Sequence, residues 1–217
     1  MHLLFPGIWK HEGRILTRNL IAGQKSLSEE LLTVDGTEYR AWDPYHSKPA
    51  AAIMKGLKDF PIKEGGKILY LGAANGNTAS YFSDIIGMKG IIYGVEISDR
   101  AMIDLIQLCR KRRNIAPILA NAKLPKEYIW IERVDAVYED VAARDQTEIL
   151  IRNCQTFLKK GGYAMIAIKA RSIDVVKNPK EIFRQEMAKL KEHFEVAEEI
   201  DIEPFEKDHE LVVLRMK

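Results

Sequence analysis

The sequence predicts an α/β domain with a mostly parallel, doubly wound sheet, preceded by a small antiparallel β-module. From Lys67 onward, short apolar runs alternate with segments of helical periodicity, as expected where helices cover both faces of a parallel sheet. Before Lys67, short apolar runs are separated by closely spaced turn dipeptides instead. These are Pro6-Gly7, Glu12-Gly13 and Asp35-Gly36. We therefore expect the β-module over residues 1–47 and the α/β domain over residues 48–217.

The β-module should consist of short strands joined by those turns. The expected strands are His2–Phe5, Arg14–Thr17 and Leu31–Val34. The segment Tyr39–Pro44 shows no regular pattern and is expected to be an irregular connector. A helical pattern then begins at Pro49, which suits a first helical turn because the N–H that proline lacks would have no partner there.

The α/β domain should contain seven strands and four helices. The strands are expected at 67–71, 91–96, 115–119, 134–139, 162–169, 194–200 and 210–215, and the helices at 77–86, 99–113, 145–158 and 180–191. Ser98 or Asp99 can cap the second helix, and Gly161-Gly162 can end the third. No helical segment separates the last two strands, so we expect them to pair antiparallel.

The segment from Lys67 to Glu96 carries the strongest functional signal. A strand leads into the small-residue turn Gly72–Gly76, a helix follows, and a second strand ends at Glu96. The two glycines let the backbone turn sharply and let a ligand approach closely. Glu96 comes 20 residues after Gly76, about where an acidic residue binds ribose hydroxyls in nucleotide-binding βαβ units.

The spacing of these glycines favours one ligand class. A dinucleotide site needs G-x-G-x-x-G to seat a pyrophosphate, whereas this chain has G-x-x-x-G. That spacing suits a ribose-bearing ligand without phosphates, and S-adenosylmethionine is the commonest of these. A reversed seventh strand is also the usual layout of S-adenosylmethionine-dependent methyltransferases, so we expect their Rossmann-like fold. A turn needed only for packing is the structural alternative.

Polar residues follow several of the predicted strands, where open parallel sheets bind ligands. They are Asn121-Ala122 after the third strand, Asp140 after the fourth and Lys169 after the fifth. A lysine at the end of a buried strand loses hydration, which disfavours its charged form and suits a general base. Asp140 could orient Lys169, and Lys48 could supply a second positive charge. A structural ion pair remains the alternative for each.

Composition limits the function further. Apolar residues make up 47% of the chain and the net charge is only +2, so contact with nucleic acid would depend on a local patch. Cys109 and Cys154 fit neither a disulfide framework nor a zinc site, and we expect no metal. The N-terminus shows neither a signal peptide nor a membrane span, so we expect a cytoplasmic protein that does not contact membranes.

The chain resembles fibrillarin in its short archaeal form, an RNA 2′-O-methyltransferase of box C/D ribonucleoproteins. Several segments carry the resemblance together, and they cover most of the chain in order. They are YRAWDPYHSKPAAAI (39–53), YLGAANGNTASYFSDIIG (70–87), YGVEIS (93–98), DLIQLCRKRRNIAPILANA (104–122), VDAVYEDVAARDQTEI (134–149), NCQTFLKKGGYAMIAIKARSID (153–174) and EPFEKDHELVV (203–213).

The resemblance implies specific roles at the site. The residues expected to bind S-adenosylmethionine are Gly72, Ala73, Asn77, Thr78, Glu96, Ile97, Asn121, Ala122, Asp140, Val141, Ala142, Ala143 and Gln146. Related enzymes use a Lys-Asp-Lys-Glu tetrad, and its first three members match Lys48, Asp140 and Lys169. The fourth falls near Asp208-His209, so His209 is the expected fourth catalytic residue.

The resemblance also implies partners: guide and target RNA, a Nop-type scaffold protein and a kink-turn-binding protein of ribosomal type. The chain departs from the family pattern at Asn75, Asn77 and Asn121, and at Ala143-Arg144. Three other functions stay open on the sequence. They are a non-catalytic assembly subunit with an eroded cofactor pocket, a nicotinamide-dependent oxidoreductase and a small-molecule O-methyltransferase.

Overall fold

A computed structural model describes all residues from Met1 to Lys217. The N-terminal part forms a five-stranded antiparallel sheet in the order β1-β2-β3-β5-β4. Its strands are β1 (His2–Phe5), β2 (Ile8–His11), β3 (Arg14–Arg18), β4 (Leu31–Val34) and β5 (Thr37–Ala41). The predicted antiparallel module is therefore present, with two strands more than the sequence indicated.

The second sheet has seven strands in the order β11-β12-β10-β9-β6-β7-β8. The strands are β6 (Lys67–Leu71), β7 (Ile91–Glu96), β8 (Ile115–Leu119), β9 (Val134–Glu139), β10 (Leu158–Lys169), β11 (Phe194–Asp201) and β12 (His209–Met216). β12 pairs antiparallel with both β10 and β11, whereas β6 to β10 run parallel. The predicted methyltransferase layout with a reversed last strand is confirmed.

Six helices accompany the sheets. They are α1 (Lys48–Met54), α2 (Asn77–Ile86), α3 (Asp99–Lys111), α4 (Gln146–Phe157), α5 (Ala170–Ile173) and α6 (Pro179–His193), with a 3₁₀ turn at Pro125–Tyr128. Ser98 caps α3 as predicted, since its side chain accepts a hydrogen bond from the Ala101 N–H. None of these helices has the length and apolar character that crossing a bilayer requires.

Two expectations about element boundaries were wrong. The expected connector Tyr39–Pro44 begins inside strand β5 (Thr37–Ala41), which pairs with both β3 and β4. Of the two charged residues of this strand, Arg40 is fully buried, which hides the alternation that marks a strand. Strand β10 begins at Leu158, directly after α4, and Gly161 makes a bulge within it instead of ending the helix.

The core of the molecule forms two apolar layers, each built around one face of the seven-stranded sheet. The N-terminal sheet contributes Ile8 and Ile15 to the larger layer, together with Trp42 from the segment that follows β5. Trp42 stacks on Tyr81 of α2 with ring centroids 5.1 Å apart. The N-terminal sheet thus shares its core with the α/β part, and the domain boundary at residue 47 stays a prediction.

A buried ionic cluster ties the N-terminal sheet to the helices α2 and α3. The Asp84 carboxylate, on α2, accepts hydrogen bonds from Arg40 (2.8 Å) and Arg112 (2.6 Å), and all three side chains are at most 2% exposed. Glu29 adds a second carboxylate 2.6 Å from Arg40. Burial alone would lower the pKa of Arg40, but the nearby carboxylates outweigh it and the pKa rises.

We predict that Asp84→Asn lowers the free energy of unfolding by about 3–5 kcal/mol, because the buried Arg112 would lose its ion-pair partner and Arg40 would keep only Glu29. Urea unfolding followed by circular dichroism measures this change. The control is Glu30→Gln, which breaks an exposed ion pair with Arg14 and should change stability by no more than about 1 kcal/mol. Equal stability of the two variants would contradict the structural role of the cluster.

Candidate active site

A cavity of about 400 Å³ opens at the carboxyl edge of the parallel strands, between the ends of β6, β7, β9 and β10. Ten of the residues predicted from the sequence line it. They are Gly72, Glu96, Ile97, Asn121, Ala122, Asp140, Val141, Ala142, Ala143 and Lys169. These residues come from five separate segments of the chain, so the cavity is assembled by the topology of the sheet.

Gly72 brings the turn after β6 against the turn after β9. Its φ of +78° is in the left-handed region, and a Cβ atom there would lie 3.0 Å from the Asp140 carbonyl oxygen and 3.1 Å from Val141 Cγ1. A side chain at this position would therefore meet the backbone that carries Asp140. Glycine at position 72 therefore lets the turns after β6 and β9 pack closely against each other.

Glu96 is held with its carboxylate at the cavity wall. One carboxylate oxygen accepts a hydrogen bond from the Ala74 N–H and the other from the Ser98 N–H, both at 2.8 Å. The residue is only 9% exposed. Each oxygen keeps a free lone pair, so the group can accept two further hydrogen bonds from neighbouring hydroxyls such as those of a ribose.

The opposite part of the cavity suits a flat, largely apolar group. Ala122 and the Val141–Ala143 segment supply small aliphatic surfaces, and Ile97 is 66% exposed at the rim. The Asn121 side-chain oxygen accepts a hydrogen bond from the Lys123 N–H at 3.0 Å. Its amide group thus has a fixed orientation beside the apolar wall, which is the arrangement a nucleobase needs.

Asp140 lies between two lysines at one end of the cavity. The Lys48 Nζ atom is 3.1 Å from the Asp140 carboxylate, and Lys169 Nζ is 2.8 Å from its Oδ1. Lys169 also donates a hydrogen bond to the Asp140 main-chain oxygen at 2.7 Å. The three side chains are 14–15% exposed, so they are sheltered yet reachable. The structure brings together the three groups that the sequence analysis placed in one reaction.

The position of Lys48 depends on how α1 begins. Lys48 is the first residue of that helix and is followed by Pro49, which fits the first helical turn. The preceding Ser47 shares a buried hydrogen bond of 2.9 Å with the hydroxyl of Thr78 on α2. This hydrogen bond joins the start of α1 to the start of α2 and so holds Lys48 near the end of β9.

Three buried acidic groups near this cluster have raised pKa values. Burial is the main cause that raises the pKa of Tyr70, Tyr138 and Glu139 well above ordinary values, and the charge of Asp140 raises all three further. Lys169 opposes the shift at Glu139 without reversing it. Asp140 is the carboxylate that both lysines contact.

A family model described as fibrillarin matches residues 2–217 of the chain. The chain belongs to the fibrillarin family. A relative from Thermococcus sibiricus, named fibrillarin-like rRNA/tRNA 2′-O-methyltransferase, is 51% identical over 217 residues, which are 97% of this chain and 96% of the relative. The resemblance seen in the sequence is confirmed.

Two solved fibrillarin structures are similar along the whole fold. That of Aeropyrum pernix fibrillarin with natively bound S-adenosyl-L-methionine has a TM-score of 0.87 and 47% identity, covering 93% of this chain and 88% of that one. That of a fibrillarin/Nop5p complex has a TM-score of 0.91 and 34% identity, and it covers both chains completely. The site geometry described above therefore belongs to a fibrillarin fold.

Several residues that the family resemblance assigned to the cofactor do not line the cavity of this fibrillarin. Ala73 is buried behind the turn, and the hydroxyl of Thr78 is engaged by Ser47. The Asn77 amide donates a hydrogen bond of 2.9 Å to the His46 carbonyl oxygen. The roles of these three residues in cofactor binding stay predictions, and the contacts of Asn77 and Thr78 join α2 to the segment before α1.

Gln146 is fully buried and holds the end of β10. Its side-chain oxygen accepts the Lys169 N–H at 2.9 Å, and its amide donates to the carbonyl oxygens of Ala143 (3.0 Å) and Lys169 (3.4 Å). The side chain thus fixes the backbone of Lys169 relative to the turn after β9. Its expected contact with the cofactor also stays a prediction.

Sequence reasoning missed Glu206, an acidic residue that approaches the cluster. One of its carboxylate oxygens lies 3.7 Å from Lys48 Nζ. The expected fourth catalytic residue, His209, pairs with Lys169 across β10 and β12, and its Nδ1 contacts the Lys207 carbonyl oxygen at 2.6 Å. A hairpin turn over residues 202–208 was the available signal, but only coordinates show which side chain turns inward.

We predict that Gln146→Ala lowers the free energy of unfolding by about 1–3 kcal/mol, because the Lys169 N–H and the Ala143 carbonyl lose buried partners. Urea unfolding measures this change, and Gln185→Ala on the exposed face of α6 is the matched control. Loss of cofactor binding with unchanged stability would contradict the bracing role. That result would favour direct contact with the ligand instead.

Proposed function

We propose that this fibrillarin transfers a methyl group from S-adenosylmethionine to a ribose 2′-hydroxyl of RNA. The observation that carries the proposal is the Lys48–Asp140–Lys169 cluster at one end of a cavity walled by Glu96 and Asn121. Close relatives named rRNA/tRNA 2′-O-methyltransferases support the reaction, and the Aeropyrum structure supports the cofactor. Ribosomal and transfer RNA are accordingly the proposed substrates.

The residues present fit the cofactor. The oriented Glu96 carboxylate would accept hydrogen bonds from its ribose hydroxyls, and the wall of Ala122 and Val141 with the Asn121 amide would hold its adenine. Gly72 lets the turn after β6 pack against the Asp140 backbone, which forms part of the cavity wall. When bound, S-adenosylmethionine supplies a methyl group on a positively charged sulfur, which is already reactive toward an oxygen nucleophile.

The chain's own residues then handle the proton. A 2′-hydroxyl becomes a better nucleophile as it loses its proton, and Lys169 in its neutral form accepts that proton at Nζ. Asp140, at 2.8 Å, stabilises the ammonium that forms and fixes its direction. Lys48 balances the charge of Asp140, and Glu206 orients Lys48. Positioning of the hydroxyl supplies much of the remaining acceleration.

The geometry bears on the alternatives that the sequence left open. Family membership argues against a nicotinamide-dependent oxidoreductase and a small-molecule O-methyltransferase. A non-catalytic subunit with an eroded cofactor pocket would not need Lys48 and Lys169 in contact with the sheltered Asp140 carboxylate at the end of the cavity. Asn121, one of the departures that motivated that alternative, lines the cavity with its amide in a defined orientation.

The proposed setting is a guide-RNA ribonucleoprotein of the box C/D type. The fibrillarin/Nop5p structure supports a Nop-type scaffold protein as a partner of this chain. A kink-turn-binding protein and a guide RNA follow from the family and complete the proposed assembly. A net charge of +2 fits this division of labour, since the guide would select the target. A cytoplasmic location is proposed with it.

We predict that Lys169→Ala lowers the single-turnover methylation rate in the assembled ribonucleoprotein by about 10²–10⁴-fold, because the general base is removed. Binding of S-adenosylmethionine, measured by calorimetry, should survive. The control is Lys160→Ala, which removes an exposed lysine from the same strand and should leave the rate unchanged. A Lys169→Ala chain that binds the cofactor and methylates at the wild-type rate refutes the assignment.

We predict that Gly72→Ala weakens S-adenosylmethionine binding by at least tenfold, because the new Cβ meets the Asp140 backbone at 3.0 Å. The control is Gly36→Ala, in which the backbone φ of +74° imposes a similar strain but the Cβ meets no atom within 4 Å. Calorimetric titration of both variants separates backbone strain from obstruction of the cavity. Equal affinities would show that Gly72 does not shape the site.

A further inference from the structure

An exposed pair of aromatic side chains stands beside the acid–base cluster. Tyr45 is 59% exposed, and its ring meets that of Phe205 nearly edge to face, with centroids 5.0 Å apart and an interplanar angle of 70°. Phe205 is half-buried and packs against the main apolar core. We refer to Tyr45 and Phe205 as the aromatic ledge.

The ledge is joined to the cluster through the backbone. Tyr45 precedes Lys48 by three residues, and Phe205 directly precedes Glu206, whose carboxylate is 3.7 Å from Lys48 Nζ. Neither ring lines the cofactor cavity. The ledge therefore borders the cluster on the side of Lys48.

Packing alone does not explain an exposed tyrosine here. The Tyr45 hydroxyl makes no hydrogen bond within the chain, and only its backbone N–H is engaged, by the Asp43 carboxylate at 2.9 Å. Phe205 reaches the core without help from that hydroxyl. The Tyr45 side chain therefore exposes a flat ring and a hydroxyl group that can both donate and accept a hydrogen bond.

We propose that the aromatic ledge holds the target RNA strand by the ribose next to the reacting nucleotide. The Tyr45 ring packs against that sugar and its hydroxyl hydrogen-bonds the 2′-hydroxyl there. This inference rests on the proposed function, since it assumes that RNA is the methyl acceptor. It adds a positioning residue that acts on the strand and not on the reacting atoms.

The charges around the ledge favour a ribose over a phosphate as the group that it meets. The partly exposed Asp43 carboxylate accepts a hydrogen bond from the Tyr45 N–H and would repel a phosphate beside the ring, whereas the Glu206 carboxylate is paired with Lys48. A base flipped out of a helix needs an enclosing pocket, whereas the ledge is open. The wide and shallow minor groove of A-form RNA displays its 2′-hydroxyls outward, which suits a ring on an open surface.

The test uses the assembled ribonucleoprotein and measures KM for the target RNA in methylation assays. Two variants, Tyr45→Phe and Tyr45→Ala, are combined with targets that carry a 2′-deoxy sugar on one or the other side of the reacting nucleotide. Loss of one hydrogen bond should raise KM about 2- to 12-fold for Tyr45→Phe, and more for Tyr45→Ala. One deoxy substitution should raise KM for the wild-type chain by the same factor and add nothing to Tyr45→Phe.

The matched control is Trp130→Ala, which removes an exposed aromatic side chain near the amino end of β9, away from the carboxyl ends of the strands where the cavity lies. All variants should keep the wild-type melting temperature and affinity for S-adenosylmethionine. Independent, additive effects of Tyr45→Phe and the deoxy sugars would overturn the proposal, as would an unchanged KM in Tyr45→Ala. A further measurement uses a target with 2-aminopurine at the reacting position. If the wild-type assembly quenches its fluorescence and Tyr45→Ala does not, Tyr45 stacks on the base and the proposal is overturned. A wild-type assembly that methylates nothing would instead refute the function itself.

Discussion

The Asp84 carboxylate, buried between two guanidinium groups, is the constraint on which the rest of the molecule depends. It joins Arg40 of the N-terminal sheet to Arg112 at the end of α3, and so fixes that sheet against the α/β part. Arg40 lies eight residues before Lys48, with Trp42 stacked on α2 between them. The anchored sheet therefore delivers Lys48 to the active-site edge. A segment without a residue in the cavity thus determines where the Lys48 amine lies.

At the other end of the chain, the hairpin of β11 and β12 also positions a side chain at the cluster. It closes the sheet beside β10 and brings the turn with Glu206 over the cluster. Asp140 thus receives one lysine from the N-terminal side and one from its neighbouring strand. Its charge is balanced on both sides, while burial raises the pKa values of the neighbouring Tyr138 and Glu139.

Much of this could be predicted from the sequence, for physical reasons that differ between residues. Strand ends in a parallel sheet converge, so Glu96, Asp140 and Lys169 could be grouped from periodicity alone. Strand β5 could not be predicted, because its buried Arg40 forms ion pairs with Glu29 and Asp84, which lie elsewhere in the sequence. Glu206 was missed for a similar reason, since the conformation of a turn decides which side chain points inward and no periodicity describes it.

The hydroxyl pair formed by Ser47 and Thr78 has an evolutionary consequence. Each group is the buried partner of the other, and the loss of either one leaves an orphan polar atom at the root of Lys48. Drift at the two positions should accordingly be correlated, with paired replacement by groups of complementary shape tolerated more readily than single change. In an alignment of divergent family members, the residues that match Ser47 and Thr78 should therefore vary together, because both help to hold the Lys48 amine in place.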